Sequence, residues 1–332
     1  MLTVCTYEDR ASDETGIKLL VASVQRHAPG ALVNVHIPSP SDALAGWLRQ
    51  RPGVSLFLGR VPDRQGFNVK PWVLRHALDH GASSAVWLDS DVIVSGPILP
   101  LFDSLRAEEV LAAEEFFGAK LQGGTVRTRL WGLEVGRWMP STVNSCVFRA
   151  TPQHVDLLAA WDELLLRPEY CEAMQRPWFQ RSIHLLGDQE VITAVLGAAR
   201  FRNVPIRWLR RGTQIAQCNE LGGYHAHERI WNALTGTRPI FLHAQGDKPW
   251  RHRSVHIDVS PYTLEAQTYA ADLGEELPWT QPMSTLSSLL RWISREHISL
   301  SGLGPAVLWE LRKQRIARTA ARRVLAAFDP NR

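Results

Sequence analysis

A chain of 332 residues, 45% of them hydrophobic and 21% charged, is long enough to bury a real core and lacks the low hydrophobicity of a disordered chain. Its net charge of +4 is unevenly placed: residues 286–332 hold nine Lys and Arg against three Asp and Glu, which leaves the rest of the chain at −2. That excludes a uniformly basic nucleic-acid binder and confines the basic character to a tail, which suits anionic lipid or an acidic partner as well as a plain solvated helix face.

In chain order, short runs rich in β-branched residues alternate with helix-length segments. Strand-like Leu2–Thr6 precedes helical Thr15–His27; Leu32–Ile37 precedes Ser41–Gln50; Val54–Leu58 precedes Val69–His80; Ala85–Leu88 then closes the series. A βαβαβαβ rhythm predicts a mostly parallel, doubly wound sheet whose ligands gather at the carboxyl ends of the strands. Beyond residue 100 the alternation loosens, with strands expected at Val110–Ala113 and Thr142–Arg149 and a Gly- and Arg-rich loop from Gly118 to Arg137 between them. Thr151-Pro152 marks a helix start, Thr as cap and Pro at the first helical position, for a helix running to about Leu166. Another helix begins near Asp188, and strands are expected at Pro205–Leu209 and Pro239–His243. From about residue 259 helix formers dominate. Between Pro305 and Phe328 apolar residues form a stripe among Arg312, Arg315, Arg318, Arg322 and Arg323, which predicts a basic helical appendage able to lie on an anionic membrane surface.

Cys5, Cys146, Cys171 and Cys218 are widely spaced without metal-type pairing, so free thiols of a reducing compartment are expected. The first residues carry no basic segment followed by a long apolar one, and no run of 18 apolar residues occurs, so neither a signal peptide nor a membrane span is expected.

The acidic triplet Asp89-Ser90-Asp91 ends the fourth strand. Two carboxylates one residue apart on a strand point to the same side, and at a strand end both can reach one hard cation. A strand-ending Asp-x-Asp is common for the separate reason that Asp suits turns, so its neighbours decide its meaning. Glu114 and Glu115 form a second acidic pair, but adjacent strand positions point to opposite faces, so a solvated face is expected there. His225 and His227, after Gly222-Gly223, are expected as loop residues near an acceptor site. Asp188 stands where a helix N-cap belongs.

The segments Asn68-Val69-Lys70-Pro71-Trp72 and Ala85-Val86-Trp87-Leu88-Asp89-Ser90-Asp91-Val92 resemble the retaining GT-A glycosyltransferases of family 8 around their Asp-x-Asp motif. In the same order, Asn144-Ser145-Cys146-Val147 resembles that family's Asn-Ser-Gly-Val strand, and Gly187-Asp188-Gln189-Glu190 its Asp-Gln-Asp helix start. His243 to Trp250 supplies each fixed residue type of its His-x-x-Gly-x-x-Lys-Pro-Trp pattern. The resemblance covers residues 1 to about 255, with Cys146 in place of a glycine and Glu190 in place of an aspartate.

What the resemblance implies is a GT-A (nucleotide-diphospho-sugar transferase) fold over residues 1–258, with a donor half over about 1–100, an acceptor half over about 101–258, and a basic appendage over 259–332. Asp89, Asp91 and His243 would hold Mn²⁺, with Mg²⁺ as the alternative. Thr6, Tyr7, Lys70, Asp89, Ser90, Asn144, Gly246 and Lys248 would bind a UDP-sugar: Tyr7 beside the base, Gly246 admitting backbone amides to the diphosphate, Lys248 setting a positive charge against it. Trp250 is expected to pack beneath that loop. Asp188 would hold donor-sugar hydroxyls and Gln189 would lie near the anomeric carbon; because an amide is a poor nucleophile, front-face attack is favoured over covalent double displacement.

The implied activity is transfer of a hexose to a glycan, lipid-linked or protein acceptor with retention of configuration, by a cytoplasmic enzyme peripheral to the inner face of a membrane. Competing readings are an inverting GT-A enzyme using Asp188 or Glu190 as base, and a non-catalytic nucleotide-sugar or glycan binder. A sugar nucleotidyltransferase would need a Gly-rich basic loop after the first strand, where this chain has Thr6-Tyr7-Glu8-Asp9-Arg10.

Overall fold

The computed structural model describes residues 2–64, 66–115, 123–218, 224–274 and 276–296. The chain forms two compact units, Met1–Arg210 and Arg211–Arg332. The first unit opens as the alternation predicts, with β1 (Leu2–Tyr7), α1 (Glu14–His27), β2 (Leu32–His36), α2 (Asp42–Arg49), β3 (Val54–Phe57), α3 (Lys70–Asp79) and β4 (Ser84–Leu88), each bound within one residue of its expectation. Local chemistry sets these bounds. Ser41 caps α2 by accepting a hydrogen bond from the Leu44 amide at 3.1 Å, and Pro71 occupies the first turn of α3, where its missing N–H costs nothing.

Next come β5 (Val92–Val94), α4 (Leu99–Asp103), β6 (Val110–Glu114), α5 (Val126–Leu130), β7 (Val143–Ala150), α6 (Val155–Leu165), α7 (Pro168–Met174), α8 (Asp188–Gly197) and β8 (Ile206–Leu209). Thr151 caps the turn ahead of α6 as expected: its Oγ1 accepts from the Gln153 amide at 3.3 Å and donates to the Ala107 carbonyl at 2.7 Å. The His154 Nδ1 accepts from the Thr151 amide at 3.0 Å, which closes a reciprocal cap. Thr151→Ala removes the side-chain half and should cost about 1–2 kcal/mol, seen as a lower urea midpoint with an unchanged slope.

Seven strands make one sheet in the order β3-β2-β1-β4-β7-β6-β8. All neighbouring pairs are parallel except β4 with β7 and β6 with β7, so β7 alone runs against the rest. The chain winds outward from β1 to β3 and then returns to place β4 on the other side of β1. That reversal between β1 and β4 opens a crevice at their carboxyl ends, the usual ligand position in such sheets. Because β7 is antiparallel, its first residues, Val143 to Ser145, lie at the same edge as the last residues of β4 and β6.

The core of the unit is a continuous apolar cluster under α3, α6 and α8, with Trp87, Phe148, Trp161 and Tyr170 buried at its centre. Phe148 and Trp161 meet edge to face with ring centroids 5.5 Å apart, and each such side chain contributes about 2–3 kcal/mol through the area it removes from water.

One buried group makes this unit acid-sensitive. His36, 4% exposed, stacks on Phe57 with centroids 4.4 Å apart, and His76 meets it edge-on at 5.5 Å. Burial first, and His76 second, push its pKa down to about 4. The folded state thus keeps the ring neutral while the unfolded chain takes up a proton near pH 6.5. Stability is complete above that pH and falls as the pH drops toward 4, by about 3 kcal/mol in all. Urea midpoints at pH 7 and pH 4.5 should therefore separate further in the wild type than in His36→Phe.

The second unit holds β9 (Ile215–Gln217), α9 (Ala226–Thr235), β10 (Phe241–His243), α10 (Val255–Asp258), α11 (Pro261–Ala266), α12 (Ala270–Leu273) and α13 (Thr285–Glu296). β9 and β10 pair in parallel, Ile215 opposite Phe241 and Gln217 opposite His243. Asp258, wholly buried, gathers the end of the unit: its carboxylate accepts the Met283 amide at 2.8 Å, and its carbonyl accepts Arg291 Nε at 2.8 Å. The arginine stripe of 305–328, Gly222-Gly223 and part of the 118–137 loop lie outside the described residues. No helix among the described residues is long and apolar enough to cross a membrane.

Candidate active site

The Asp-x-Asp triplet is the turn between β4 and β5, and its backbone is fixed by the Asp89 amide donating to the Cys146 carbonyl at 2.9 Å. Asp89 is partly exposed, whereas Ser90 and Asp91 are buried. The Asp89 Oδ1 accepts the Trp87 indole N–H at 2.6 Å and faces the Lys70 ammonium at 3.0 Å. Ser90 turns the other way and donates to Glu8 Oε2 at 2.6 Å.

Glu8 is 2% exposed and also takes a paired hydrogen bond from Arg10, Nε at 2.7 Å and Nη2 at 2.8 Å, so the end of β1 is tied to the triplet through one carboxylate. Of its neighbours, Thr6 is fully buried. The Tyr7 hydroxyl donates to Asp9 at 3.4 Å, and burial with the Asp9 charge raises its pKa to about 12.

Lys70, at the start of α3, is 2% exposed and sits among site side chains. Its Nζ donates to Ser145 Oγ at 2.8 Å and lies 3.0 Å from Asp89 and 3.3 Å from Asp188. Burial opposes its charge, but the Asp188 and Asp89 carboxylates more than offset this and hold the ammonium above its ordinary pKa. Asp188 in turn accepts Ser145 Oγ at 2.7 Å; burial raises its pKa, with Lys70 and Ser145 only partly opposing.

Asp188 is not the N-cap of α8. Gly187 holds that place without a side-chain bond, and Asp188 is the first helical residue, its carboxylate directed to Lys70 and Ser145. The reason is that the buried Lys70 ammonium and Ser145 hydroxyl hold the carboxylate in charge-assisted contacts stronger than a cap's bond to a neutral amide.

Ser145 reaches both partners because β7 is irregular there. Ala112 pairs with Phe148 but Ala113 with Asn144, so residues 145–147 bulge and the register shifts. The Asn144 Oδ1 accepts the Cys146 amide at 3.1 Å within the bulge, and Asn144 Nδ2 donates to Glu115 at 3.3 Å.

Glu115 corrects another expectation. It is not on a solvated face but 1% exposed, just past the end of β6, and accepts Gln189 Nε2 at 2.6 Å. Glu114 is partly exposed, but β6 is buried on both faces, and at its end the interior around Glu115 is polar. Sequence reasoning assigned no role to Glu8 and misplaced Glu115 because a buried carboxylate and an exposed one look alike in sequence until the fold brings up their partners, Arg10 and Gln189.

In the second unit His243 ends β10 and is 4% exposed, with its carbonyl accepting the Cys218 amide at 2.7 Å. Gly246 has φ +83°, a left-handed conformation that a glycine adopts without strain. Lys248 Nζ donates to the Ala244 carbonyl at 2.8 Å. One residue, Asp247, separates Gly246 from Lys248 where the resembled pattern has two, so this loop is one residue shorter and Lys248 folds back on its start. Trp250 packs on Tyr262 and Trp279 with centroids 6.3 and 5.9 Å away. His225 and His227 stack on one another at 5.4 Å, His225 at the head of α9. The four cysteines are free, Cys171 exposed and the others buried.

Asp89 and Asp91, both in the first unit, each offer a carboxylate oxygen, and these lie within 4.8 Å of one another. Two carboxylates this close fit a divalent cation of the Mn²⁺ or Mg²⁺ kind, which prefers hard oxygen ligands.

No family model matches the chain, and no curated protein matches it. Solved structures do. The apo structure of the bifunctional glycosyltransferase WbbM aligns with TM-score 0.50 and 14% identity, covering 82% of this chain and 51% of that one. An active-site mutant of LgtC aligns with TM-score 0.49 and 15% identity over 80% of this chain and 95% of that one. The glycosyltransferase GlyE of Streptococcus pneumoniae TIGR4 gives TM-score 0.45 and 15% identity over 81% and 63%. The chain therefore spans about half the length of WbbM and under two thirds of GlyE. At these identities the likeness shows the fold: a mixed α/β GT-A fold with a mostly parallel seven-stranded sheet.

Proposed function

We propose that the chain is a metal-dependent, retaining glycosyltransferase of family 8 that moves a hexose from a UDP-sugar to a glycan, lipid-linked or protein acceptor. The observation that carries this reading is the pair of carboxylates Asp89 and Asp91 on the turn after β4, beside the β1 and β4 carboxyl ends; His243 is proposed as a third ligand. A cation held there would neutralise the negative charge that develops on a departing diphosphate.

The chain's own residues do the rest. Thr6, Tyr7 and Ser90 line the β1 and β4 ends where a nucleotide sits in such sheets, Asn144 and Asp188 offer polar groups to the sugar, and Gly246 and Lys248 serve the phosphates. In the reaction the bond from the anomeric carbon to the phosphate oxygen breaks and one to the acceptor oxygen forms on the same face. The acceptor's proton passes to the leaving phosphate oxygen, so no protein base is required. Retention is favoured because Asp188 is committed to Lys70 and Ser145, and Glu190 is fully buried; neither is placed as the exposed base an inverting enzyme needs. The enzyme is proposed to be cytoplasmic, with 259–332 as an appendage whose basic tail meets anionic membrane.

The test is UDP release from a panel of UDP-sugars with and without Mn²⁺, with the anomeric configuration of any product followed by NMR. Manganese-dependent release from one donor with retention is the expected result. Absence of both release and manganese-dependent UDP binding by calorimetry would sink the reading.

A further inference from the structure

We infer that Glu115 and Glu190 form a two-carboxylate clamp that fixes which end of the Gln189 amide faces the substrate, an inference that rests on the transferase reading above. Gln189 Nε2 lies 2.6 Å from Glu115 Oε2 and 3.3 Å from Glu190 Oε1. A carboxylate accepts hydrogen bonds and has none to give, so the amide must turn its NH₂ toward the pair. An NH₂ has two hydrogens, and two carboxylates are present to take them. Both carboxylates are buried, Glu115 1% and Glu190 0% exposed, whereas Gln189 is partly exposed. The end of the amide left to meet a ligand is its carbonyl oxygen, Oε1.

The surroundings hold the clamp still. Asn144 Nδ2 donates to the same Glu115 oxygen at 3.3 Å, and the buried Arg127 guanidinium lies within electrostatic reach of both glutamates. Gln189 is also tied through its backbone, its carbonyl accepting Thr193 Oγ1 at 2.6 Å. A freely turning amide would present a hydrogen-bond donor about as often as an acceptor. The clamped one presents only lone pairs.

This has a direct consequence at an anomeric carbon. As the phosphate leaves, that carbon becomes electron-poor, and a fixed amide oxygen beside it stabilises the charge without forming a bond, whereas an NH₂ in the same place would oppose it. Glu115 is thus a positioning residue, acting on the sugar through Gln189.

The test is a double-mutant cycle on turnover of whichever UDP-sugar the wild type accepts. Glu115→Ala should lower kcat by about tenfold or more while changing the donor KM by less than about threefold. In a Gln189→Ala background the same change should cost less than about twofold, because there is no amide left to orient. An equal loss in both backgrounds, or an unchanged kcat in the single variant, overturns the inference. Should Glu115→Ala fail to fold, Glu115→Gln keeps the volume but offers its own N–H to Gln189, turning part of the population around. It should lower kcat by about three- to tenfold, again only when Gln189 is present. If no UDP-sugar is turned over, or Gln189→Ala leaves kcat intact, the transferase reading or the role of Gln189 in it is what fails, and the clamp falls with it.

Discussion

Asp91→Ala is expected to abolish manganese-dependent UDP release, by at least about a hundredfold, or some 3 kcal/mol of transition-state stabilisation. It should do so without unfolding the protein. Asp89 already spends one oxygen on the Trp87 indole and the Lys70 ammonium, so its removal would disturb the packing around both. Asp91, buried in the turn after β4, adds a second negative charge within 4.8 Å of another ligand atom. Two carboxylates so close repel each other until a cation joins them, and the nearby Arg10 charge offsets part of that repulsion, so deleting Asp91 should change the metal-free melting temperature little. The rise that Mn²⁺ produces in the wild type should vanish. Asp91→Asn, which keeps the shape and drops the charge, should behave like the alanine variant. A variant that keeps its manganese-induced stabilisation yet loses turnover would show that Asp91 acts on the substrate rather than on the cation.

Much of this was legible in the sequence, and what was not has physical causes. The β1 to β4 alternation was readable because short runs rich in apolar and β-branched residues alternate with helix-length segments, some with local start chemistry, as with Ser41 ahead of α2. The short strands were not: β5 and β9 have three residues each, too few for any period to show. Thr151 announced its helix because capping is local. The true setting of Asp188 was hidden because its partners, Lys70 and Ser145, are over 40 residues away in sequence and meet it only through the bulge at 145–147. Glu115 was misjudged for a similar reason. Strand alternation tells which face a side chain takes but not whether that face is greasy or holds a polar network. Sequence pattern thus located the ends of strands at which chemistry collects, and the three-dimensional register decided which charges there are partners.

Lys70→Met should be the most damaging single change outside the proposed ligand set. The methionine fills similar space, so the loss is electrostatic. Lys70 stands between Asp89 at 3.0 Å and Asp188 at 3.3 Å, all but inaccessible to water, and neither water nor salt can replace it there. Removing one member of a buried ion pair leaves an uncompensated charge and costs about 3–5 kcal/mol, and here Asp89 would keep the Trp87 indole and Asp188 the Ser145 hydroxyl with no Lys70 cation between the two carboxylates. The expected result is a melting temperature lower by several degrees together with a fall in turnover of about a hundredfold or more, measured well below the new melting point so that unfolding does not contribute. Lys70→Arg separates charge from geometry: it restores the cation, but a planar guanidinium cannot meet Asp89, Asp188 and Ser145 from the position of one compact ammonium. Stability should therefore recover more than turnover does. Recovery of both would mean that only the charge matters at this point in the site. A Lys70→Met protein as stable as the wild type would mean that the two carboxylates do not depend on Lys70, and the account of Asp188 as a residue held in place by that lysine would have to be given up.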